Sequence, residues 1–174
     1  MTRRRVVITG LGLVTPLGNQ VQDSWAALLA GRSGIQTITQ FDASAFACQF
    51  AGEVKGFNIE DYIPAKEARH MDRFIHFGLA ASMQAVKDAG LPTGDALSPE
   101  LAERIGVLVG SGIGGLPMIE QTHTDYKERG PRRISPFFVP ASIINMISVH
   151  VSIYHGFRGP NLGVVTACTT GLHA

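Results

Sequence analysis

The stretch that decides the fold reads Ile105-Gly-Val-Leu-Val-Gly110-Ser-Gly-Ile-Gly-Gly115-Leu. Its first part, Ile105 to Val109, is short, apolar and rich in β-branched residues, which predicts a buried strand. A glycine-rich turn follows, and the residues from Leu116 to about Lys127 predict a helix. A strand, a tight turn and a helix in this order form the unit from which parallel sheets are built.

The same alternation of strands and helices extends along the chain. Strands are predicted at Arg4 to Gly12, Phe50 to Val54 and Leu162 to Thr166, and helices at Asn19 to Ala30, Met71 to Ala89, from Ser98 for about a turn, and Pro140 to His155. Trp25, Leu28 and Leu29 are expected to form the buried face of the first helix. The sequence therefore predicts an α/β fold with a mainly parallel sheet, and its 174 residues predict one domain, residues 1–174, or a piece of a larger one.

The composition excludes several classes of protein. A hydrophobic content of 45% excludes a disordered chain, and a net charge of +1 argues against a nucleic-acid-binding protein. No apolar run is long enough for a membrane span and no signal-peptide cleavage site follows the N-terminus, so we expect a cytoplasmic protein with no membrane partner. The six histidines have no metal-binding spacing: His150 and His155 are five residues apart, which does not place both on one helical face. We therefore expect no metal site.

The turn Gly110-Ser-Gly-Ile-Gly-Gly115 matches the pattern G-x-G-x-x-G of dinucleotide-binding proteins. That pattern also needs a strand ending in Asp or Glu about 20 residues further on, which would hold the ribose. The corresponding region from Arg129 to Phe138 is neither acidic nor strand-like. We favour a tight turn where the backbone passes close to another element. A nicotinamide-dependent oxidoreductase that uses Gly110, Gly112 and Gly115 is kept as a distant alternative.

A second candidate site is Val165-Thr-Ala-Cys168-Thr-Thr-Gly171, where small residues surround a cysteine between a predicted strand and a predicted helix. A nucleophile on a sharp strand-to-helix turn needs small neighbours. The N-terminal end of a helix favours a thiolate, and its N–H groups can stabilise an oxyanion. Most cysteines are simply small core residues, so spacing alone leaves both interpretations open. Cys48 lies between Phe46 and Phe50, has no such context and is interpreted as structural.

Four stretches occur in order along the whole chain: Arg4-Arg-Val-Val-Ile-Thr-Gly-Leu-Gly, Gly110-Ser-Gly-Ile-Gly-Gly-Leu116, Arg132-Arg-Ile-Ser-Pro-Phe-Phe-Val-Pro140 and Gly159-Pro-Asn-Leu-Gly-Val-Val-Thr-Ala-Cys168-Thr-Thr-Gly171. With them the chain resembles the β-ketoacyl-acyl-carrier-protein synthases, which are condensing enzymes of the thiolase-like family. The likeness is greatest to the synthase II group of fatty-acid elongation. It covers an N-terminal portion of the family length, and the family's two catalytic histidines, its lysine and its Phe-Gly-Gly loop lie downstream.

The resemblance implies a thiolase-like fold with five α-β-α-β-α layers in the complete enzyme, of which this chain is most of the first α/β half. It also implies a homodimer that needs no cofactor and takes its substrates from acyl carrier protein. Cys168 would accept an acyl group as a thioester, and malonyl-carrier protein would lose carbon dioxide and attack it. The product would be a 3-oxoacyl chain. Because the downstream histidines are absent, residues 1–174, ending just after the nucleophile turn, are expected to be inactive alone.

The resemblance assigns further roles residue by residue. Cys168 would be the nucleophile, and its own N–H would supply half of the oxyanion hole. Ile113 would line the acyl pocket, and Phe138 would approach the acyl pocket of the partner subunit. The carrier protein would contact Lys66, Arg69, Arg132 and Arg133. A non-catalytic subunit similar to a chain-length factor remains an alternative, although such a subunit would carry another residue in place of Cys168.

Overall fold

The computed structural model of the protein describes residues 4–174. The helices in this range are α1 (Val21–Leu29), α2 (Ala65–Ala68), α3 (Arg73–Asp88), α4 (Pro99–Arg104), α5 (Leu116–Arg129), α6 (Phe138–Ser142), α7 (Met146–His155) and α8 (Thr170–His173). The strands are β1 (Ile35–Thr37), β2 (Phe50–Gly52), β3 (Val107–Gly110) and β4 (Asn161–Val164). Single turns of 3₁₀ helix lie at Ile59–Asp61, Gly94–Ala96, Pro131–Arg133 and Ala167–Thr169. None of the helices in the described range is both long and apolar enough to cross a membrane.

The described residues divide into two compact units. One consists of residues 4–58 and 80–90, and the other of residues 59–79 and 91–174. The first unit contains the antiparallel pair β1–β2, in which Gln36 lies opposite Ala51. The structure thus confirms the predicted strand at Phe50 and adds β1, which the sequence did not predict. The second unit contains the parallel strands β3 and β4 and the candidate site.

In the first unit, the segment around Gly12 lies directly against the C-terminal half of α3. The N–H of Leu11 donates to the carboxylate of Asp88 over 2.9 Å, and a Cβ atom on Gly12 would stand 1.9 Å from the carbonyl oxygen of Ala81. Only glycine permits so close an approach between two backbones. Residues 10–12 are therefore held by α3 instead of by a sheet.

The predicted strand at Arg4 to Gly12 is wrong, because the structure assigns no strand to residues 4–14. Val6 and Ile8 are 90% and 82% exposed. A strand needs a neighbour that accepts and donates its backbone hydrogen bonds, and no other part of residues 4–174 pairs with this segment. The apolar β-branched run is therefore extended without belonging to a sheet.

The predicted apolar face of α1 is also wrong. Trp25, Leu28 and Leu29 are exposed, whereas Ser24 and Ala27 are buried. The Ser24 hydroxyl lies 3.0 Å from that of Thr15. This hydrogen bond and the small side chains beside it determine which face of α1 is buried, whereas hydrophobicity alone predicts that the face with the large apolar residues is buried.

The second unit is organised around the parallel pair β3–β4, in which Leu108 lies beside Leu162. α7 packs against both strands. Its buried residues Ile147 and Val151, together with Ile75 and Leu79 of α3, form the core of this unit. The parallel pairing and its helical connection confirm the predicted α/β class.

The predicted helices at Met71 to Ala89, near Ser98 and from Leu116 are confirmed as α3, α4 and α5. The hydroxyl of Ser98 accepts the N–H of Leu101 over 3.2 Å, which caps α4. α3 ends before Gly90, whose φ of +62° is a conformation that glycine adopts without strain.

The single helix predicted from Pro140 to His155 is wrong, since α6 ends at Ser142 and α7 begins at Met146. Ile143 has a ψ of 142°, which is extended backbone. The carbonyl of Ser142 accepts the N–H of Gly115 over 3.0 Å, so it bonds to the glycine-rich turn and not to the next helical turn. A tertiary contact thus interrupts the helical periodicity.

Candidate active site

Cys168 lies on a sharp turn between β4 and α8. After β4 ends at Val164, the backbone passes through one 3₁₀ turn, Ala167–Thr169, and enters α8 at Thr170. Ala167 has a φ of +52° and is the one non-glycine residue of positive φ in residues 4–174. A non-glycine residue in this region costs about 1–3 kcal/mol and is typical of functional turns. The structure confirms the strand-to-helix turn predicted from the sequence, which we call the elbow (residues 165–170).

The thiol of the elbow is open to solvent, because Cys168 is an exposed residue. The backbone N–H of Cys168 has no hydrogen-bond acceptor among the residues that the structure describes. A nucleophile beside an unused N–H donor is the arrangement that acyl transfer needs, since the oxyanion of a tetrahedral intermediate requires such donors.

Three threonines around Cys168 hold the backbone of the elbow. The N–H of Thr166 donates to the Thr170 hydroxyl over 2.9 Å, and that hydroxyl donates to the carbonyl of Ala167 over 2.7 Å. The hydroxyl of Thr169 donates to the carbonyl of Thr166 over 2.7 Å. In addition, Nδ1 of His173 lies 2.8 Å from the Thr166 hydroxyl.

The glycine-rich turn that follows β3 packs directly against the elbow. A Cβ atom on Gly110 would stand 2.2 Å from the carbonyl oxygen of Val164, and one on Gly112 would stand 3.2 Å from that of Ala167. On its other side, Gly114 has a φ of +87° and lies against Ser142 of α6. This confirms the interpretation of a tight turn between close elements. The glycines allow neighbouring backbone segments to pack closely, which accounts for them without a bound dinucleotide.

Ile113 lies within this turn, and Phe138 begins α6. Ile113 is 69% exposed and lies between Gly112, which faces the elbow, and Gly114, which lies against α6. Phe138 is half-buried.

The four predicted carrier-protein residues lie exposed on two segments. Lys66 and Arg69 belong to α2 and its C-terminal end, and Arg132 and Arg133 to the 3₁₀ turn after α5. Across residues 4–174, none of the four forms an ion pair with a carboxylate. They are therefore cations available to an anionic partner.

A ring contact joins the two basic segments, which are far apart in sequence. The imidazole of His70 stacks on Phe137 with ring centroids 3.9 Å apart. His70 follows Arg69 directly, and Phe137 lies four residues after Arg133. We refer to Lys66, Arg69, Arg132 and Arg133 together as the basic patch.

The acidic residue of α2 is turned toward α7. The hydroxyl of Tyr154 donates a hydrogen bond to the carboxylate of Glu67. Burial, and then this contact with Glu67, hold the pKa of Tyr154 well above its usual value. Glu67 is itself exposed, so its carboxylate lies at the surface beside Lys66 and Arg69 while it accepts this hydrogen bond.

Sequence reasoning missed Asp72, a buried carboxylate shared by two helix N-termini. One oxygen accepts the N–H of Phe74 at the start of α3 over 3.4 Å, and the other accepts the N–H of Met118 in α5 over 2.8 Å. Because α5 begins at the glycine-rich turn, Asp72 fixes the turn that faces the elbow. The acidic residue before the apolar run of α3 was the available sequence signal.

Cys48, interpreted from the sequence as structural, is not enclosed in the core of the protein. Cys48 is exposed, and the flanking Phe46 and Phe50 are 58% and 64% exposed. Its thiol lies 3.6 Å from the carbonyl oxygen of Phe50. Because these two aromatic side chains are mainly exposed to solvent, they do not cover the thiol.

The histidines are distributed over separate environments. His76 Nε2 lies 2.8 Å from the carbonyl oxygen of Ala68, whereas His155 is buried and stacks on Phe157. Within the described range, no three His, Cys, Asp or Glu side chains are grouped so that they could hold a metal ion.

Comparison with known proteins identifies a family for nearly the whole chain. Residues 3–174 match the family described as β-ketoacyl synthase, N-terminal domain. The chain is 55% identical over 173 residues to 3-oxoacyl-[acyl-carrier-protein] synthase 2 of Vibrio cholerae, and 51% identical over 173 residues to the protein of that name from Coxiella burnetii. These matches cover 99% of this chain and 41% of each relative. The chain therefore spans about two fifths of the length of these relatives.

Solved structures give the same result for the fold. The ishigamide ketosynthase/chain length factor matches with a TM-score of 0.80 and 30% identity, over 95% of this chain and 40% of its own. A β-ketoacyl synthase from Burkholderia phymatum matches with a TM-score of 0.78 and 29% identity, over 99% of this chain and 42% of its own. The thiolase-like α/β fold expected from the sequence is thus shown.

Proposed function

The chain belongs to the β-ketoacyl synthase family, of which it carries the N-terminal domain, and we propose that the protein is a 3-oxoacyl-[acyl-carrier-protein] synthase of fatty-acid elongation. The reaction is a decarboxylative condensation in which Cys168 carries the acyl group. The observation that carries the proposal is the exposed Cys168 on the strained elbow, beside its own free N–H.

The reaction divides into two steps that both use Cys168. In the first, the thiolate attacks the carbonyl carbon of acyl-carrier protein, the new C–S bond forms, and the carrier thiol leaves. In the second, malonyl-carrier protein loses carbon dioxide, and the resulting carbanion attacks the acyl thioester on Cys168. The C–S bond then breaks, which returns the thiolate and releases a 3-oxoacyl-carrier protein that is longer by two carbons. The N–H of Cys168 would stabilise the oxyanion in both steps.

The turn and α6 supply residues for the acyl chain. Ile113, which is exposed and adjacent to the glycines that face the elbow, has the apolar side chain that an acyl pocket needs. We assign Phe138 to the acyl pocket of a partner subunit in a homodimer. No nicotinamide or other cofactor enters either step, because carbon dioxide release alone generates the carbanion.

The basic patch is the proposed docking surface for acyl carrier protein. Its four cations lack carboxylate partners in the described part of the chain. An acidic carrier would be attracted to such a surface. We also assign the enzyme to the cytoplasm, with no membrane or nucleic-acid partner.

The experiment that tests this function uses the full-length protein, because the resemblance assigns stabilisation of the carbanion to two histidines beyond residue 174. Acyl-carrier and malonyl-carrier proteins are supplied, and the 3-oxoacyl product is measured. The wild-type protein and Cys48→Ala should form product at similar rates, whereas Cys168→Ala should lose at least about 10³-fold, as expected for removal of a covalent nucleophile. Product formation by Cys168→Ala at the wild-type rate would refute the proposed function.

A further inference from the structure

Thr170 is a buried polar residue that the mechanism above does not use. It is 5% exposed, although its neighbours Thr169 and Gly171 are exposed. Its hydroxyl accepts the N–H of Thr166 over 2.9 Å and donates to the carbonyl of Ala167 over 2.7 Å. Both hydrogen bonds end on the backbone just before Cys168.

We propose that Thr170 is the positioning residue of the elbow, which holds Cys168 in its reactive place by fixing the backbone on both sides of Ala167. This inference rests on the proposed role of Cys168 as the nucleophile. Thr170 need not touch the substrate, since it acts through the conformation of the residue that precedes the thiol.

The strain at Ala167 explains why such a residue is needed. A φ of +52° is unfavourable for alanine, and a strained residue persists only when its surroundings hold it. The N–H of Thr166, the residue before Ala167, and the carbonyl of Ala167 itself bond to the same hydroxyl. Since a hydroxyl can donate one hydrogen bond and accept others, a single side chain makes both contacts. The two contacts therefore hold the backbone at the residue that precedes the strained residue and at the peptide unit that follows it.

The methyl group of Thr170 connects the elbow to the glycine-rich turn. A Cβ atom on Gly110 would stand 2.3 Å from Cγ2 of Thr170, so this methyl group occupies the space that a side chain at position 110 would need. The hydroxyl holds the strained backbone and the methyl group packs against β3. These two parts can be separated by substitution.

Thr124 of α5 is the control. Its hydroxyl donates to the carbonyl of Glu120 over 3.1 Å within the same helix. Thr124 is exposed and lies outside the elbow and the glycine-rich turn, so a valine there removes a threonine hydroxyl without changing the backbone that precedes Cys168.

The test compares Thr170→Val, Thr170→Ser and Thr124→Val in the full-length protein. Thr170→Val keeps the shape but removes both hydrogen bonds, and Thr170→Ser keeps the hydroxyl but removes the methyl group. Two quantities are measured for each variant: kcat and KM of condensation, and the alkylation rate of Cys168 by iodoacetamide relative to that of the exposed Cys48 in the same molecule. Cys48 serves as an internal reference, and a thermal denaturation curve shows that each variant is folded.

We expect Thr170→Val to lower kcat and the relative alkylation rate of Cys168 by about tenfold, the factor that two neutral hydrogen bonds lost together would produce. KM for the carrier protein should stay within about twofold, because a positioning defect leaves docking unchanged. Thr170→Ser should restore most of both rates, and Thr124→Val should match the wild type. Even if Thr170→Val fails to fold, the comparison of Thr170→Ser with Thr124→Val remains informative.

Wild-type rates in Thr170→Val, or rates in Thr170→Ser as low as those in Thr170→Val, would overturn the proposal. So would a Thr170→Ser variant that is folded but inert, measured beside an active Thr124→Val. The alkylation ratio separates this failure from failure of the proposed function: product formed by Cys168→Ala would refute the nucleophile assignment, whereas the effect of Thr170 on the Cys168 thiol is measured without any condensation.

Discussion

At the residue scale, Asp72 shows how one buried carboxylate can fix two elements. Its two oxygens accept N–H groups from the first turns of α3 and α5, and it is 6% exposed. A carboxylate at a helix N-terminus satisfies an otherwise unbonded N–H and interacts favourably with the helix dipole. Because one side chain does this for two helices, both N-termini lose a partner when it is removed.

We predict that Asp72→Ala lowers the free energy of unfolding by about 2–4 kcal/mol, the sum of two lost caps. Asp72→Asn, which keeps an acceptor oxygen, should lose less. The measurement is urea denaturation, with Asp95→Ala as the control because Asp95 is exposed in a 3₁₀ turn. Equal stabilities of Asp72→Ala and Asp95→Ala would contradict the double-cap interpretation.

His155 makes stability depend on pH. The residue is 8% exposed, and its Nε2 is buried with no hydrogen-bond partner among the residues described. Burial lowers the pKa of His155 below its usual value of about 6.5. In the unfolded chain the pKa is ordinary, so below about pH 6.5 the unfolded state binds protons more readily. Burial likewise lowers the pKa of His150, although the Glu67 carboxylate opposes this.

The free energy of unfolding should therefore show no loss due to His155 above about pH 6.5, and it should fall as the pH drops below that value. His155→Phe, which keeps the aromatic stack on Phe157 but cannot be protonated, should reduce the loss of Tm between about pH 7.5 and about pH 5.5. The exposed His123, changed to Phe, serves as the control and should leave the loss unchanged. A His155→Phe variant with the same pH dependence as the wild type would show that this histidine is not responsible.

At the element scale, the site depends on how closely the turn after β3 approaches the elbow after β4. The distance from Gly110 to Val164 leaves no room for a side chain, and a network of Ser148, Asn161 and Ser152 ties α7 to the start of β4. In that network, the amide of Asn161 donates to the carbonyl of Ser148 over 2.8 Å and to the Ser152 hydroxyl over 2.6 Å. The strand that leads to Cys168 is thus fixed at both ends.

We predict that Gly110→Ala separates these elements. A Cβ atom 2.2 Å from a backbone oxygen forces one strand to move, and the expected loss of stability is at least about 3 kcal/mol, the upper end for overpacking. Gly171→Ala is the matched control, because nothing lies within 4 Å of a Cβ atom there and alanine favours helix α8. Thermal denaturation measures both variants. Equal Tm values for Gly110→Ala and Gly171→Ala would refute the close approach.

The same elements show what sequence patterns can and cannot predict. The apolar run of α3 and the strand–turn–helix unit around Gly110 follow from local periodicity and turn chemistry, so both were predicted correctly. The segment at Arg4 to Gly12 has the pattern of a strand, but a strand also needs a partner that periodicity does not reveal. The break after Ser142 depends on a hydrogen bond to Gly115, 27 residues earlier in the chain. Long-range contacts of this kind account for the wrong elements.

For the candidate site, small residues around Cys168 correctly predicted a sharp turn, because strained backbone admits few side chains. The positive φ of Ala167, the two hydrogen bonds of Thr170 and the double cap by Asp72 could not be predicted, since each depends on residues brought together by the fold. The exposure of Cys48 was missed for a related reason. Flanking phenylalanines cover a thiol only when they pack inward.

At the scale of the whole molecule, an almost neutral chain carries a local concentration of positive charge. The net charge is +1, yet all four residues of the basic patch are exposed and lack carboxylate partners in the described range. Contacts between such exposed charges are screened over about 8–10 Å at physiological salt. Docking of an acidic carrier should therefore depend strongly on ionic strength.

We predict that Arg132→Glu combined with Arg133→Glu raises KM for acyl-carrier protein about tenfold or more, while the reaction of Cys168 with iodoacetamide stays unchanged. The difference from the wild type should diminish as salt is added. Arg104→Glu combined with Arg158→Glu changes the net charge equally at other exposed positions and should have little effect. An unchanged KM in the first double variant would place the docking surface elsewhere.

The central claim is that Cys168, on the strained elbow, carries the acyl group. The most direct measurement incubates the full-length protein with acyl-carrier protein in the absence of malonyl-carrier protein, digests it and locates the added acyl mass by mass spectrometry. We predict that the acyl group is found as a thioester on the peptide that contains Cys168, and that malonyl-carrier protein then removes it. An acyl group on the peptide of Cys48, which is also exposed, or no acylated cysteine at all, would contradict this role of Cys168.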